Sequence, residues 1–172
     1  MFDISWARQC GLASALLCLV WASSVEAAKQ VAGWVEMAVI EPGDLQVRAK
    51  VDTGAETSSL HCECFSTFER DGKEWVRFTV ANWREENVQM EREVVRRAII
   101  KRHFGGAQER LVITLPICLG GVLKEREVNV VDRSGLEYQL LLGRNFLAGD
   151  FLVDPGATYQ LSATCPDGAA QH

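Results

Sequence analysis

Apolar and polar residues alternate along much of this chain, which is the pattern of half-buried β-strands. The clearest case is Leu45 to Val51, where the alternation runs without a break. Other short runs rich in Val, Ile, Phe and Trp predict strands at Trp34–Val39, Glu74–Val80, Glu91–Ile100, Arg110–Leu119, Val122–Val131 and Phe151–Asp154. The pattern therefore predicts an all-β protein.

Turn signals separate these runs. Asp71-Gly72 and Gly120-Gly121 supply residues that accept the positive φ of tight hairpin turns. We predict a long polar loop at Asn82–Glu91 and a helix of one or two turns within Arg144–Gly149. Many short strands with turns between them predict a closed or nearly closed β-barrel with one short helix.

The first segment of the chain differs from the rest and predicts export. Cys10 to Ala22 is an apolar run of 13 residues, and small residues follow it up to Ala28. Because a membrane span takes roughly 20 apolar residues, we interpret residues 1–27 as a cleaved signal peptide of an exported, periplasmic protein. An uncleaved membrane anchor is the alternative. We expect one folded domain over residues 31–162 and a C-terminal tail at 163–172.

Charge and cysteine content narrow the expected function. The 172 residues carry 18 Lys and Arg against 23 Asp and Glu, a formal net charge of −5. Nucleic acid is therefore not an expected partner, since phosphate-binding surfaces need clustered Lys and Arg. Export permits disulfides among the four cysteines that follow the signal segment, although burial as small apolar side chains is the alternative. Three full pairings stay open among Cys62, Cys64, Cys118 and Cys165. A Cys62–Cys64 bond is disfavoured, because its short ring would strain the disulfide.

One short motif carries candidate chemistry. The strand that ends at Val51 leads directly into Asp52-Thr53-Gly54-Ala55, which places a carboxylate on a sharp turn. Gly54 gives this turn backbone freedom and allows another chain to approach closely. We take Asp52 as the candidate catalytic residue. The alternative is an ordinary turn in which Asp52 accepts hydrogen bonds from its own backbone.

A second motif lies further along the chain, where Leu140-Leu141-Leu142-Gly143 leads into the helical stretch. Together with Asp-Thr-Gly, it resembles the retropepsin-like aspartic peptidases, in which such a strand forms the loop behind the catalytic turn. The resemblance implies a retropepsin-like acid-protease fold, a closed β-barrel with one short helix after the Leu-Leu-Gly strand. It covers about residues 31–162 and implies a peptidase domain there.

The resemblance extends to a bacterial family often labelled "ATP-dependent zinc protease". This family is associated with the ATP-grasp ligases that add glutamate to ribosomal protein S6. The similar stretches are Gly33–Glu36, Lys50–Ala55, Trp75–Phe78, Leu142–Arg144 and Phe151–Pro155.

The resemblance also assigns roles around the catalytic turn. Thr53, Gly54 and Ala55 would form the supporting active-site loop, in which Thr53 hydrogen-bonds across the axis of a dimer. Leu142 and Gly143 would form the loop behind the site. These roles imply an extended peptide substrate that contacts the backbone of the turn.

Two further features follow from the resemblance. Lys101 to Gln108 would form a flap with Gly105 and Gly106 at its tip, and a plain hairpin turn is the alternative. Glu56 would form an ion pair with Arg144, the alternative being a solvated Glu56 beside an Arg144 that caps the helix.

An aspartic mechanism needs two carboxylates, one ionised and one protonated. The chain contains one Asp-Thr-Gly, so the second carboxylate would come from a second copy of the chain. We therefore expect a homodimer with Asp52 of each protomer on the axis, either permanent or assembled on binding. Its partner would be a peptide or protein substrate.

Two other interpretations stay open. One is a catalytically silent module of the same fold that binds a peptide or a membrane protein. The other is a metal-dependent hydrolase, for which His61, Cys62 and Cys64 are the candidate ligands. The sequence has no His-Glu-x-x-His motif and no Gly-x-x-x-x-Gly-Lys-Ser/Thr loop. We therefore expect no metal and no other cofactor.

Overall fold

The computed structural model describes residues 28–101, 107–132, 135 and 137–165, with side chains at all of these positions except 64, 65 and 101. The predicted signal peptide, residues 1–27, lies outside this range. The secondary structure is β1 (Gln30–Ile40), β2 (Leu45–Val51), β3 (Ser58–His61), β4 (Glu63–Arg70), β5 (Lys73–Ala81), β6 (Asn87–Lys101), β7 (Ala107–Leu119), β8 (Val122–Val131), β9 (Leu140–Leu142), α1 (Arg144–Leu147) and β10 (Phe151–Thr158). In the described part of the chain, no helix is long and apolar enough to cross a membrane.

Six of the strands form a closed ring. Hydrogen-bonded neighbours follow the order β1-β2-β9-β3-β8-β7, and β7 pairs back onto β1. The closing pairs place Val39 opposite Cys118 and Ile40 opposite Ile117. β10 adds to the ring by pairing in parallel with β1. This arrangement confirms the predicted all-β fold.

The sheet continues beyond the ring through the long strand β6. Val94 to Lys101 pairs with β7 of the ring, whereas Asn87 to Glu93 pairs with β5, which in turn pairs with β4. We call β4, β5 and residues 87–93 of β6 the extension. Its buried Phe78 and Met90 belong to the same apolar cluster as the ring interior, so the ring and the extension share one core.

The strongest sequence signals agree with the structure. β2 has the predicted bounds, and its residues alternate between buried and partly exposed. β8 also has the predicted bounds. Both hairpin turns have positive φ, at 53° and 72° for Asp71 and Gly72 and at 55° and 80° for Gly120 and Gly121. These turns join β4 to β5 and β7 to β8.

The predicted polar loop at Asn82–Glu91 is wrong, because β6 begins at Asn87. The actual turn is shorter, and the Asn82 side chain accepts hydrogen bonds from the N–H groups of Arg84 and Glu86. Polar residues continue into β6 because one face of the extension is solvated. Polarity alone therefore does not distinguish a loop from an outer strand.

The helix is shorter than the predicted range. α1 ends at Leu147, since Ala148 is extended with ψ 135° and Gly149 has φ 95°. Gly is suited to this left-handed conformation at a helix end. The remaining residues of the predicted range lead into β10.

The segment after β10 is fixed to the barrel by several contacts. A disulfide joins Cys118 of β7 to Cys165, which settles one of the open pairings. The wholly buried Glu36 accepts hydrogen bonds from the N–H groups of Gln160 and Leu161. The first residues of the predicted C-terminal tail are therefore attached to the barrel.

Candidate active site

The two sequence motifs meet at one edge of the barrel. Val51 at the end of β2 pairs in parallel with Leu142 at the end of β9. The Asp52 N–H continues this pairing by donating to the Leu142 carbonyl at 2.9 Å. Because parallel strands end side by side, the Asp-Thr-Gly turn and the turn at Gly143 lie against each other.

The carboxylate of Asp52 is held by its own loop. One oxygen, Oδ1, accepts hydrogen bonds from the N–H groups of Gly54 at 2.9 Å and Ala55 at 3.3 Å. The other oxygen, Oδ2, lies 3.9 Å from Nζ of Lys50. The sequence analysis gave Lys50 no role in the site. The Asp52 side chain is 28% exposed. The local turn expected under the simpler interpretation is therefore present. It orients a carboxylate that water can still reach.

Arg144 supports the Asp-Thr-Gly loop, but it binds backbone carbonyls of the loop and not the expected Glu56 carboxylate. Its Nη1 donates to the carbonyl oxygens of Thr53 at 3.0 Å and Gly54 at 2.9 Å. No ion pair joins Arg144 to Glu56 within the described residues, so the predicted side-chain pair is not formed here. The Glu56 side chain is exposed, while its backbone carbonyl accepts from the N–H of Asn145 at 2.9 Å.

Gly143 allows the two turns to approach closely. A Cβ at this position would lie 2.8 Å from the Thr57 carbonyl carbon and 3.1 Å from the Ala55 carbonyl oxygen. Both neighbours are backbone atoms and cannot rotate away. The Gly of the Leu-Leu-Gly motif is therefore required sterically, since only a residue without Cβ fits.

A buried polar network that the sequence analysis missed connects these turns. The Ser58 hydroxyl, which is wholly buried, donates to Oδ1 of Asn145 at 2.8 Å and accepts from the Gly143 N–H at 3.0 Å. Asn145 Nδ2 donates to the carbonyl of Glu127 at 2.9 Å. The sequence contained two signals of this network. They are Ser58, seven positions after Val51, and the polar residue Asn145 inside the short helix.

Two other expected site features are described only in part. Thr53 is exposed, and its carbonyl accepts from Arg144; its hydroxyl contact across a dimer axis stays a prediction. The strands on either side of the expected flap pair at Lys101 opposite Ala107 and at Ile100 opposite Gln108. The predicted tip, Gly105 and Gly106, lies outside the described residues.

Two of the three candidate metal ligands, His61 and Cys62, lie elsewhere, at the far end of β3, and the side chain of the third, Cys64, lies outside the described ones. His61 is between two carboxylates, 4.0 Å from Glu63 and 3.9 Å from Asp132. Burial, followed by the charge of Asp132, raises the pKa of the Cys62 thiol to about 12. Among the residues that the structure describes, no group of three or more His, Cys, Asp or Glu could hold a metal ion.

Several known proteins are similar to this chain in sequence or in fold. Residues 31–163 match the RimB-like family, described as retropepsin-like aspartic endopeptidase RimB. A crystal structure of a Legionella pneumophila protein of unknown function matches with 32% identity and a TM-score of 0.66, covering 77% of this chain and 98% of that one.

Longer proteins also contain a similar segment. A probable alpha-L-glutamate ligase from Desulfotalea psychrophila is 35% identical over 77% of this chain, and one from Shewanella pealeana is 37% identical over 67%. The chain spans only 29% and 26% of the lengths of these relatives. Their ligase names therefore describe proteins more than three times as long as the matched segment. On the family match and the Legionella structure, this chain belongs to the RimB-like family of retropepsin-like proteins.

Proposed function

We propose that this protein is an exported aspartic endopeptidase whose catalytic pair consists of Asp52 from each of two protomers. The carboxylate of Asp52 carries the proposal, because it is partly exposed and is held by two N–H groups of its own loop. A shared fold alone does not establish activity. The oriented carboxylate supplies the chemical argument.

The need for two carboxylates follows from peptide hydrolysis itself. Two carboxyl groups close together share one proton, since like charges at short range cannot both ionise. One Asp52, ionised, removes a proton from water, and the water oxygen then bonds to the peptide carbonyl carbon. The partner's Asp52, protonated, donates its proton to the carbonyl oxygen. When the resulting gem-diol collapses, the Asp52 that took the proton from water gives it to the leaving nitrogen, the C–N bond breaks, and the partner's Asp52 takes a proton back from the gem-diol hydroxyl.

The surface around Asp52 supports assembly from two copies. Thr53, Gly54 and Glu56 are exposed in the single chain, so the loop is accessible to a partner. Arg144 binds the carbonyls of Thr53 and Gly54, and the Gly54 N–H binds Asp52, so the loop is held within its own chain while its surface stays exposed. A two-fold axis through this loop would bring the two carboxylates together.

Export is supported by two independent observations. The apolar run at Cys10–Ala22 has the length and flanks of a signal peptide. The disulfide between Cys118 and Cys165 is of a kind that persists in oxidising compartments such as the periplasm. The proposed substrate is therefore an extended peptide or protein segment in that compartment.

Cleavage of a peptide library by the purified protein between about pH 4 and pH 7 tests the proposal. Because some relatives are named probable alpha-L-glutamate ligases, the library includes α-glutamyl peptides. Asp52→Asn is expected to reduce cleavage by about 10³-fold or more. Asp71→Asn is the matched control, because Asp71 is exposed on a hairpin with φ 53°, which Asn also accepts.

Each outcome separates the interpretations. Cleavage that survives Asp52→Asn would contradict the aspartic mechanism. Activity that is lost with a chelator would favour the metal-dependent hydrolase instead. Peptide binding without cleavage by the unsubstituted protein at every pH would identify a silent binding module.

A further inference from the structure

The short helix α1 depends on donors from outside itself. A helix leaves its last four carbonyl groups without internal partners, and α1 has only four residues. Two cationic side chains of β8 bind carbonyl groups in α1 and directly after it. Lys124 Nζ donates to the carbonyls of Phe146 at 2.6 Å and Ala148 at 3.2 Å, and Arg126 Nε donates to that of Asn145 at 3.0 Å.

Lys124 is fixed in this position by its surroundings. Only 10% of its side chain is exposed, and its ammonium forms an ion pair with Asp150. The Nζ atom also lies 5.3 Å from the ring centroid of Phe146 and 5.7 Å from that of Phe151, a favourable distance for a cation over an aromatic ring. An ammonium has three donors, and two carbonyls and one carboxylate match that number.

The first residue of α1, Arg144, contacts the Asp-Thr-Gly turn. The Arg144 N–H donates to the Ala55 carbonyl at 2.9 Å, and the Arg144 guanidinium donates to the carbonyls of Thr53 and Gly54. Gly54 and Ala55 in turn donate to Asp52. A continuous set of contacts therefore runs from Lys124 through α1 to the Asp52 carboxylate.

We propose that Lys124 is a positioning residue of the active site, which holds α1 so that Arg144 supports the loop of Asp52. This inference rests on the proposed peptidase function. Misplacement of a reacting group by about 1 Å can reduce a rate about 10²-fold, and without Lys124 the carbonyls of Phe146 and Ala148 lose this donor, which leaves Arg126 on the Asn145 carbonyl as the remaining contact from β8. The expected effect is larger on the geometry of the carboxylate than on substrate affinity.

Steady-state kinetics of three variants test the role of Lys124. Lys124→Met should lower kcat by about 10-fold to 10²-fold with KM changed less than about 2-fold. Lys124→Arg should restore kcat to within about 3-fold, because it keeps the charge and the donors. Lys73→Met is the matched control, since Lys73 is exposed and pairs with Glu93 in the extension; it should change kcat less than about 2-fold.

Hydrogen exchange at the Arg144 and Asn145 amides gives a readout that does not require activity. Lys124→Met should speed their exchange about 10-fold or more while amides of β5 keep their rates. If Lys124→Met does not fold, Lys124→Gln is measured in the same way. Unchanged kcat and unchanged exchange, or failure of Lys124→Arg to restore them, would overturn the proposal. If the unsubstituted protein cleaves nothing, the peptidase function fails, and exchange alone decides whether Lys124 positions the loop.

Discussion

Two regions of this molecule are held by different kinds of interaction. Behind Asp52, buried hydrogen bonds connect the Ser58 hydroxyl with Gly143 and Asn145. Across the extension, exposed side chains form ion pairs between strands. These pairs join Arg70 and Arg77 to Glu91 and Lys73 to Glu93, and one more joins Glu74 of the extension to Arg97, further along β6.

The difference predicts where the protein tolerates substitution. Exposed ion pairs contribute little, because water screens the charges and two long side chains must be ordered. A buried donor that loses its partner costs about 1–3 kcal/mol, since water cannot replace the bond. The region behind Asp52 should therefore be sensitive to single-atom changes, and the extension should not be.

Gly143→Ala should have the largest effect on stability. Its Cβ would lie 2.8 Å from the carbonyl carbon of Thr57, so the two turns must separate, at a cost of about 3 kcal/mol in the free energy of unfolding. Gly156→Ala is the control, because its nearest contact is the flexible Asp154 side chain at 3.3 Å, and it should stay within about 0.5 kcal/mol. Urea denaturation measures both, and equal losses would contradict the steric argument.

Ser58→Ala should have the next largest effect. The substitution leaves the buried N–H of Gly143 without its acceptor, which should reduce the free energy of unfolding by about 2 kcal/mol. Ser66→Ala on β4, where the side chain is exposed, should change it by less than about 0.5 kcal/mol. If thermal and chemical denaturation show no difference between these variants, the buried network does not stabilise the site.

Glu91→Gln should have the smallest effect, although it removes two ion pairs. Hydrogen bonds from Arg70 and then Arg77 lower the pKa of Glu91 below its ordinary value. A lowered carboxyl pKa stabilises the fold above the pKa of the unfolded state, near 4.3, and this contribution disappears as pH falls through the folded-state pKa. The stability difference between the two proteins should thus be small near pH 7 and absent at strongly acidic pH. A difference that grows on acidification would contradict this sign.

Much of the fold was predictable where one face of a strand is buried and the other is solvated. β2 follows that rule throughout, and its bounds were predicted correctly. β3 does not, because Ser58 and Ser59 are buried beside Leu60, and no alternation marks it. The start of β6 was missed for the opposite reason, since its polar outer face looks like a loop in the sequence.

The candidate site was predictable to the level of motifs but not of partners. Asp-Thr-Gly and Leu-Leu-Gly could be recognised from their residues, and the structure places them together. The acceptors of Arg144 could not be predicted, because they are backbone carbonyls, which every residue has. Lys124 was missed for the same reason, as its partners include the carbonyls of Phe146 in α1 and of Ala148 just after it.

If two chains form one catalytic site, then mixing unsubstituted and inactive chains should lower the rate by more than dilution does. The unsubstituted chain and Asp52→Asn are co-expressed at equal levels, and cleavage is compared with the unsubstituted protein at the same total chain concentration. If both carboxylates are needed, only dimers of two unsubstituted chains cleave, and random pairing predicts about one quarter of the rate. A rate of about one half would show that each chain acts alone and would contradict a site formed by two chains.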